Sequence, residues 1–379
     1  MRIFKQLDYD FLGKRKMAYV LSGTLLLIGI LSLAFHGLEL GIDFKGGSEI
    51  ALQFDKPVDI GEIRSYSDEI GLGKVEIKTF GGETGVLIRT ELQTVPHDSY
   101  REFLNVIDKK IDELLPGVEK QIVDTSEIEV VYNFPNPDTT NYLNNALFKA
   151  GFQTTKFSEE SNNTKIVIGV GVADIIQEKL REKFPENPFK VLKVDLVGPK
   201  IGKELKLDAV IAVFLALLVI LVYLGFRFKF VFAIGAVVAL FHDVLITLGL
   251  FSLLYGVSDW LNLEISVNVV AAFLTLVGYS INDTVVVFDR IRENLKIHKT
   301  GDLGKIINRS ISNTMPRTII TSFTTLLSTF VLLIFGGDVL RGFAFTLFFG
   351  VIIGTYSSIF VASAFVYDYV TKSKKRISF

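Results

Sequence analysis

The sequence predicts an α-helical membrane protein with six transmembrane helices and an α+β external domain. The 379 residues are 49% hydrophobic and only 21% charged, which is too apolar for an ordinary soluble surface. The apolar residues are concentrated in runs of close to twenty, the length that crosses ~30 Å of hydrocarbon. Between the first two runs lies a long segment that alternates between strand and helix patterns.

The six apolar runs are 18 to 25 residues long, which is sufficient to span a bilayer with some tilt. They are Met17–Phe35, Ala209–Phe226, Phe230–Leu254, Ile265–Phe288, Thr318–Phe335 and Phe343–Val366. The first run follows three basic residues, as a signal peptide would. It is long for a signal peptide, and its small-residue triplet, Ser32-Leu33-Ala34, lies inside the run. We therefore interpret it as a retained anchor.

The charge distribution predicts the orientation of these spans. Residues 37–207 contain 29 acidic and 21 basic side chains, a net charge of −8, whereas the remainder contains 12 and 19, a net charge of +7. Of those 19 basic residues, all except Arg341 lie on the side of the two termini. Because basic residues in short loops mark the cytoplasmic face, we expect residues 1–36 to hold the cytoplasmic N-terminus and first span, residues 208–371 the other spans, and residues 372–379 a cytoplasmic tail. Residues 37–207 then lie outside the cytoplasm.

The external segment shows the order βαββαβ twice. The predicted elements are Ser48–Phe54, Ile60–Ile70, Lys74–Phe80, Gly85–Thr90, Tyr100–Leu115 and Val118–Val123, then Glu127–Phe134, Thr139–Ala150, Phe152–Phe157, Lys165–Val170, Asp174–Phe184 and Phe189–Val197. Phe54 and Phe134 are 80 residues apart, as are Leu72 and Phe152, and each of the latter two follows a glycine. We predict a duplication that forms two tandem ferredoxin-like lobes, residues 37–124 and 125–207. The alternative to duplication is that the two halves resemble each other by chance, because all alternating strand and helix patterns look alike.

The sequence offers no pattern typical of an enzyme. It has no cysteine, which excludes a disulfide scaffold and a thiolate metal site, and its four histidines are scattered. The segment Lys45-Gly46-Gly47-Ser48 is too short for a nucleotide loop, and its glycines are better explained by a turn at the membrane. We expect neither catalysis, nor a cofactor or metal, nor nucleic-acid binding.

Charged residues inside the predicted spans are costly, on the order of 3 kcal/mol each, so each needs a reason. Asp283 lies inside the fourth span, and Arg317 begins the fifth, from which its side chain could reach the depth of Asp283. This placement permits an ion pair, and a buried carboxylate is suited to binding and releasing protons. His242 and Asp243 lie midway along the third span, and for them a functional role and a purely structural one remain equally open.

Polar residues follow helical spacing on two of the spans. They are Thr275, Tyr279, Asn282 and Asp283 on the fourth span, and Arg317, Thr321, Thr324, Thr325 and Ser328 on the fifth. The pattern suggests a hydrated seam between helices, although hydroxyl groups alone are more often simple interhelical contacts. Gly350 and Gly354 form a GxxxG pattern on the sixth span, which favours close helix approach.

Three segments carry a family resemblance. The stretch Gly278–Asn294, GYSINDTVVVFDRIREN, closely resembles the fourth-helix signature of the SecF family. GIDFKGG at residues 41–47 and VGPKIG at 197–202 are similar to the segments that flank the external domain of that family. SecF is a subunit of the SecDF protein-export factor, within the resistance-nodulation-division superfamily.

The resemblance implies export of preproteins, driven by the proton-motive force, together with SecD and the SecYEG channel. YajC and YidC are further candidate partners, and preproteins would contact the external domain. The family's proton-carrying aspartate falls on Asp283, and the arginine that opens its fifth helix falls on Arg317. His242, Asp243, Tyr279, Asn282, Thr321 and Thr325 are candidate accessory residues. Most SecF external domains have a single lobe, so the family supplies no role for residues 127–197.

Two other function classes stay open at this point. One is a homo-oligomeric, proton-driven exporter of small molecules or lipids from the same superfamily, and the other is a scaffold that transports nothing. The residues also leave open whether the coupling ion is H⁺ or Na⁺. Six spans are half of a twelve-helix transporter, which favours a partner bundle.

Overall fold

The computed structural model describes residues 9–69, 75–92, 97–126, 129–150, 152–158, 160, 162–257, 261, 263–298 and 301–373. The chain divides into two compact units. The membrane unit comprises Met1–Phe44 and Glu204–Phe379, and the α/β unit comprises Lys45–Lys203. The predicted division into an apolar bundle and a strand-rich insertion is therefore reproduced in the fold.

The elements follow the chain in this order: α1 (Arg15–Phe35), α2 (Ile42–Lys45), β1 (Gly47–Phe54), α3 (Ile60–Glu69), β2 (Val75–Thr79), β3 (Gly85–Thr90), α4 (His97–Leu114), β4 (Gln121–Thr125), β5 (Glu129–Asn133), α5 (Pro137–Lys149), β6 (Thr154–Lys156), β7 (Lys165–Gly169), α6 (Val172–Lys183), β8 (Phe189–Val197), α7 (Pro199–Arg227), α8 (Phe230–Leu254), α9 (Val267–Ile297), α10 (Leu303–Phe335), α11 (Gly337–Ser357) and α12 (Ser363–Ser373). A 3₁₀ turn, Leu12–Lys14, precedes α1. A π-helical turn, Ser358–Ala362, joins α11 to α12.

Six helical segments of the described chain are long and apolar enough to cross a membrane. They are Leu12–Phe35, Lys200–Arg227, Phe230–Leu254, Val267–Ile297, Leu303–Phe335 and Val339–Ser373. All six predicted spans are confirmed, and most helices extend beyond the apolar run by a turn or more at one end. Hydropathy marks only the part of a helix that lies in hydrocarbon, and the polar ends continue with the same backbone hydrogen bonding.

Glycines allow two pairs of membrane helices to approach closely. A Cβ atom on Gly249 of α8 would lie 2.5 Å from the Cα of Gly29 on α1. On α11, a Cβ on Gly350 would lie 2.5 Å from the Leu276 side chain of α9, and one on Gly354 would lie 3.1 Å from the Ser280 Cβ. The GxxxG prediction is confirmed as a contact between α11 and α9, the helix that bears Asp283.

The α/β unit contains two four-stranded antiparallel sheets, in the strand orders β2-β3-β1-β8 and β4-β5-β7-β6. Both match a ferredoxin-like sheet. The predicted 80-residue repeat is visible in the backbone, because Phe54 N donates to Thr84 O and Phe134 N donates to Thr164 O. Gly71, Leu72 and Gly151, which entered the same prediction, lie outside the described residues.

The predicted boundary between tandem lobes, at residues 124 and 125, is wrong. The last strand of the second repeat, β8, pairs with β1 in the first sheet, and the last strand of the first repeat, β4, pairs with β5 in the second. The helices follow their strands, because α4 packs in the core of the second sheet and α6 in that of the first. Each repeat therefore completes the other, and the two lobes are interleaved.

Helix α6 lies between the two cores. All six residues from Val172 to Gln177 are buried. Val172 and Ile176 belong to the core of the first sheet, and Ile175 belongs to that of the second. Because the first six residues of α6 are buried and contact both cores, this part of the helix holds the interleaved lobes together.

Candidate functional site

Helix α9 is anchored at its start by two side-chain caps. Ser266 accepts a hydrogen bond from Val269 N at 3.4 Å, and Asp43 Oδ2 accepts one from Val267 N at 2.9 Å. Carboxylates and hydroxyls at this position satisfy free N–H groups of the first turn. Asp43 belongs to the GIDFKGG segment, so that motif fixes the beginning of the helix that bears Asp283.

Asp283 lies inside the membrane unit and is 3% exposed. Its carboxylate accepts one long hydrogen bond, from Ser322 Oγ of α10 at 3.4 Å. Ser322 Oγ also lies 2.7 Å from Thr355 Oγ1 of α11. An ionised carboxylate has about four acceptor sites, so Asp283, with one long contact among the described residues, is held weakly for an ionised group.

Arg317 and Asp283 do not form the predicted ion pair in this structure. Neither residue takes part in a salt bridge of 4.0 Å or less within the described chain, and the Arg317 side chain is exposed. The two residues therefore lie on neighbouring helices, α10 and α9, without being in contact.

The two predicted polar stripes lie largely on the outside of the chain. Thr275 and Asn282 on α9 are exposed, and so are Thr321, Thr324 and Ser328 on α10. Tyr279 and Thr325 are half-buried, and the Tyr279 hydroxyl makes no hydrogen bond to any described residue. Thr321 and Thr325 donate to backbone carbonyls of their own helix. The exposed Asn282 amide and Arg317 guanidinium, in contrast, require a hydrated or protein partner, because lipid offers them none.

Asp243 is in a different environment. It is 1% exposed and accepts hydrogen bonds at Oδ2 from Ser280 Oγ of α9 at 2.6 Å and from Ser357 Oγ of α11 at 2.8 Å. Its Oδ1 lies 2.9 Å from His242 Nδ1. Both oxygens are therefore engaged, by groups from three helices.

His242 extends this cluster to the first span. Its Nε2 lies 3.0 Å from Ser22 Oγ of α1, and Ser22 Oγ lies 3.0 Å from the Tyr356 hydroxyl of α11. Tyr356 in turn donates to the backbone oxygen of Ala18 at 2.8 Å. The sequence left the role of His242 and Asp243 open. In the structure, their hydrogen bonds connect four helices: α8, α1, α9 and α11.

Sequence reasoning identified the charged groups and missed the hydroxyls that hold them: Ser22, Ser280, Ser322, Thr355, Tyr356 and Ser357. One signal was present, since Ser280 and Asp283 are three residues apart within the Gly278–Asn294 stretch and so share a helix face. The other five lie on α1, α10 and α11, and their pairing depends on the packing of helices. Among the described residues, no group of three or more histidine or acidic side chains is arranged to hold a metal ion.

Two family models match the chain. The model for the C-terminal part of the protein export membrane proteins SecD and SecF matches residues 175–372, and the SecD/SecF GG motif matches residues 31–58. All three segments that carry the family resemblance are therefore covered by these matches. The second match includes Gly46 and Gly47, which adopt φ values of 77° and 118°.

Similar proteins span the whole chain. The protein translocase subunit SecF of Rhodothermus marinus is 41% identical over 99% of this chain and 98% of that protein. The subunit of the same name from Calditerrivibrio nitroreducens is 37% identical over 95% and 93%. A crystal structure of SecDF, a translocon-associated membrane protein from Thermus thermophilus, matches with a TM-score of 0.64 at 28% identity. That match covers 96% of this chain and 39% of the SecDF chain.

Proposed function

The chain belongs to the SecF family of protein translocase subunits, and we propose that it pairs with SecD and uses proton entry at Asp283 to assist export of preproteins through the Sec channel. One observation supports this proposal above the others. Asp283 is buried in a membrane-spanning helix, yet among the described residues its carboxylate accepts a single hydrogen bond, which is 3.4 Å long. A group held so weakly can change its protonation state and its partner at low cost.

The exposed polar residues support a partner bundle. Asn282 and Thr275 on α9 and Thr321 on α10 face outward. A second six-helix bundle that covered these residues would place them in a seam between two bundles. SecD is the candidate, because the chain spans 39 to 40% of the SecDF chains that it matches, which leaves a larger remainder. Co-purification of SecD would favour this assignment over the homo-oligomeric exporter.

The charge distribution supports an orientation in the cell inner membrane with the termini in the cytoplasm and the α/β unit outside. Since the sequence has no cysteine, single cysteines report on it directly. A cysteine at the exposed position Ser65 should react with an impermeant thiol reagent added to intact cells, and one at the exposed position Ser373 should not. The opposite pattern would reverse the orientation and remove the basis for proton entry from outside.

The experiment that tests the proposed function compares two Asp→Asn variants on the same helix. Export of a preprotein is measured in membrane vesicles that contain the chain with SecD, with and without a proton gradient. Asp283→Asn should remove the gradient-dependent part of export, because it keeps the shape and loses the titratable proton. Asp289→Asn is the matched control, since Asp289 is exposed and faces Arg227 at 3.6 Å.

We expect Asp289→Asn to export at the rate of the unmodified protein. Both variants should accumulate in the membrane and retain SecD, because neither removes an apolar contact. Gradient-dependent export by Asp283→Asn at the unmodified rate would show that Asp283 is structural, and the proposal would then be wrong.

A further inference from the structure

A continuous series of side-chain hydrogen bonds leads from α9 to α1 through the interior of the membrane unit. We call it the Asp243 chain: Ser280, Asp243, His242, Ser22 and Tyr356. Successive contacts are 2.6 to 3.0 Å long. Ser280, Asp243, His242 and Ser22 are each at most 6% exposed. A series this short and this well enclosed is a candidate for mechanical coupling between the helices it joins.

The donor and acceptor of each hydrogen bond can be assigned by starting at Tyr356, the last residue of the Asp243 chain. The Tyr356 hydroxyl must donate to the Ala18 carbonyl, which has no proton to give. The contact between Ser22 and Tyr356 therefore uses the Ser22 proton, with Tyr356 as acceptor. Since Ser22 has no second proton, His242 Nε2–H donates to Ser22. Its ring is thus protonated on Nε2.

The same accounting places one shared proton between His242 and Asp243. Nδ1 and Oδ1 lie 2.9 Å apart, and two lone pairs at this distance would repel. The pair is therefore either imidazolium with carboxylate or imidazole with carboxylic acid, and it is neutral as a unit in both cases. Loss of that proton would leave an uncompensated negative charge in the bundle, which is strongly disfavoured.

The Asp243 chain is therefore a fixed connection and not a second proton carrier. Asp243 Oδ2 accepts from Ser280 and Ser357, and its other oxygen faces His242, so the carboxylate is fully hydrogen-bonded. Fully satisfied polar networks rigidify the elements they join. Asp283, with its one long contact, has the opposite character.

The Asp243 chain begins close to Asp283 and reaches the helix that leads to the α/β unit. At one end, Ser280 precedes Asp283 by three residues on α9, which is about 4.5 Å along the helix. At the other end, Ser22 belongs to α1, which precedes the α/β unit in the chain. Tyr356 and Ser357 lie directly before the π-helical turn Ser358–Ala362, and π-helical turns inside helices are frequent at functional sites.

We propose that the Asp243 chain transmits a shift of α9, caused by a change in the protonation of Asp283, to α1 and so towards the α/β unit. His242, Asp243 and Ser22 are positioning residues in this account, because none of them binds the transported proton. The inference rests on the proposed function. It adds the route by which proton binding on α9 reaches a helix that leads to the α/β unit.

The test compares two serines on α1. Ser22→Ala removes the link between α1 and His242. Ser32→Ala is the matched control, because Ser32 is also buried, also lies on α1 and also contacts α8, through Ser252 Oγ at 2.9 Å, but touches no charged group. Proton flux and preprotein export are measured together in vesicles that contain the chain, SecD and the Sec channel.

Ser22→Ala should keep the proton flux of the unmodified protein within about twofold and lower the export obtained per proton by about threefold or more, a range typical of coupling residues. Ser32→Ala should change neither quantity by more than about twofold. His242→Asn gives a second reading if Ser22→Ala accumulates poorly. Its amide can still donate to Asp243 but cannot reach Ser22, so export per proton should again fall.

Equal effects of Ser22→Ala and Ser32→Ala would show that α1–α8 packing alone is responsible, and the inference would be wrong. It would also be wrong if Ser22→Ala and His242→Asn left export per proton unchanged. Failure of the proposed function itself is separate: in that case Asp283→Asn would retain gradient-dependent export, whatever the result for Ser22.

Discussion

Two buried aspartates in the membrane unit have opposite surroundings. Asp243 has contacts at both oxygens, from Ser280, Ser357 and His242, at 2.6 to 2.9 Å. Asp283, one helix away, has one contact at 3.4 Å. Both side chains are almost inaccessible to solvent, but the number and length of their hydrogen bonds differ.

This difference indicates which of the two groups is free to change state. A satisfied polar network resists change, because any new arrangement leaves a buried donor or acceptor without a partner. A weakly held carboxylate has little to lose when it is protonated or when a nearby arginine moves closer. The membrane unit thus has one carboxylate suited to fixing helices and one suited to exchanging a proton.

The largest effect should come from the charge near Asp283. Arg317→Ala should lower gradient-dependent export at least about tenfold, because Asp283 would lose its counter-charge. Arg317→Lys should lower it only about two- to fivefold, since the charge remains and the planar guanidinium is lost. Arg309→Ala, on an exposed position of the same helix, should have little effect. Equal export by Arg317→Ala and Arg309→Ala would show that Arg317 has no role in proton-coupled export.

A third buried carboxylate extends the comparison outside the membrane. Asp174 is 5% exposed, and its Oδ2 accepts a hydrogen bond from Gly171 N at 2.9 Å. Its Oδ1 has no hydrogen-bond partner among the described residues. Burial raises the pKa of Asp174 to about 6, and the Gly171 N–H and Arg181 offset only part of that increase. Asp174 lies on α6, the helix that joins the two lobes. In its incomplete hydrogen bonding it resembles Asp283 more than Asp243.

The raised pKa gives a pH dependence with a definite sign. The folded α/β unit binds the Asp174 proton more tightly than the unfolded chain does, so its stability should fall as pH rises from about 4 to about 6. The total loss is about 3 kcal/mol. Hydrogen exchange of α6 amides in the full chain, corrected for intrinsic rates, should show less protection at pH 7.5 than at pH 5.

Two variants of the full chain sharpen this prediction. Asp174→Asn should abolish the difference between the two pH values, since the amide keeps an acceptor for Gly171 and cannot ionise. Asp138→Asn, on the exposed first turn of α5, should leave the difference unchanged. If Asp174→Asn retained the full pH dependence, another group would be responsible.

The smallest effect should come from Ser322, the one hydrogen-bond donor to Asp283 among the residues that the structure describes. Ser322→Ala should lower export about two- to threefold, in line with the ~0.6 kcal/mol typical of hydrogen bonds between membrane helices. Ser328→Ala is the control, because Ser328 lies on the same helix and donates only to its own backbone, at Thr324 O. A loss as large as that for Asp283→Asn would mean that Asp283 depends on Ser322 far more than its 3.4 Å contact indicates.

The sequence was sufficient to predict most helices and strands of the α/β unit, but not which sheet each of them joins. Hydrophobic periodicity marks Phe103, Ile107 and Ile111 as one face of α4, but it does not say which sheet covers that face. Because both sheets offer a similar apolar surface, the exchange of α4 with α6 and of β4 with β8 left no local signal. The duplication itself was visible, since Phe54 and Phe134 repeat at the same offset.

The same limit applied to the membrane unit. Asp283 and Asp243 were recognisable because a charge in an apolar run is costly. Their surroundings were not, because Ser357 and Ser22 are far from Asp243 in sequence and serine is unremarkable in a membrane helix. The expected contact between Asp283 and Arg317 followed from their depth in the bilayer alone, and depth says nothing about the direction of a side chain.

We infer that Asp283 exchanges a proton whereas Asp243 does not. Infrared difference spectroscopy can test it on the chain with SecD in membranes, through the carbonyl stretch of protonated carboxylic acids followed across a pH titration. A titrating band should be lost in Asp283→Asn and kept in Asp243→Asn. A band that persists in Asp283→Asn, or that disappears in Asp243→Asn alone, would contradict this inference.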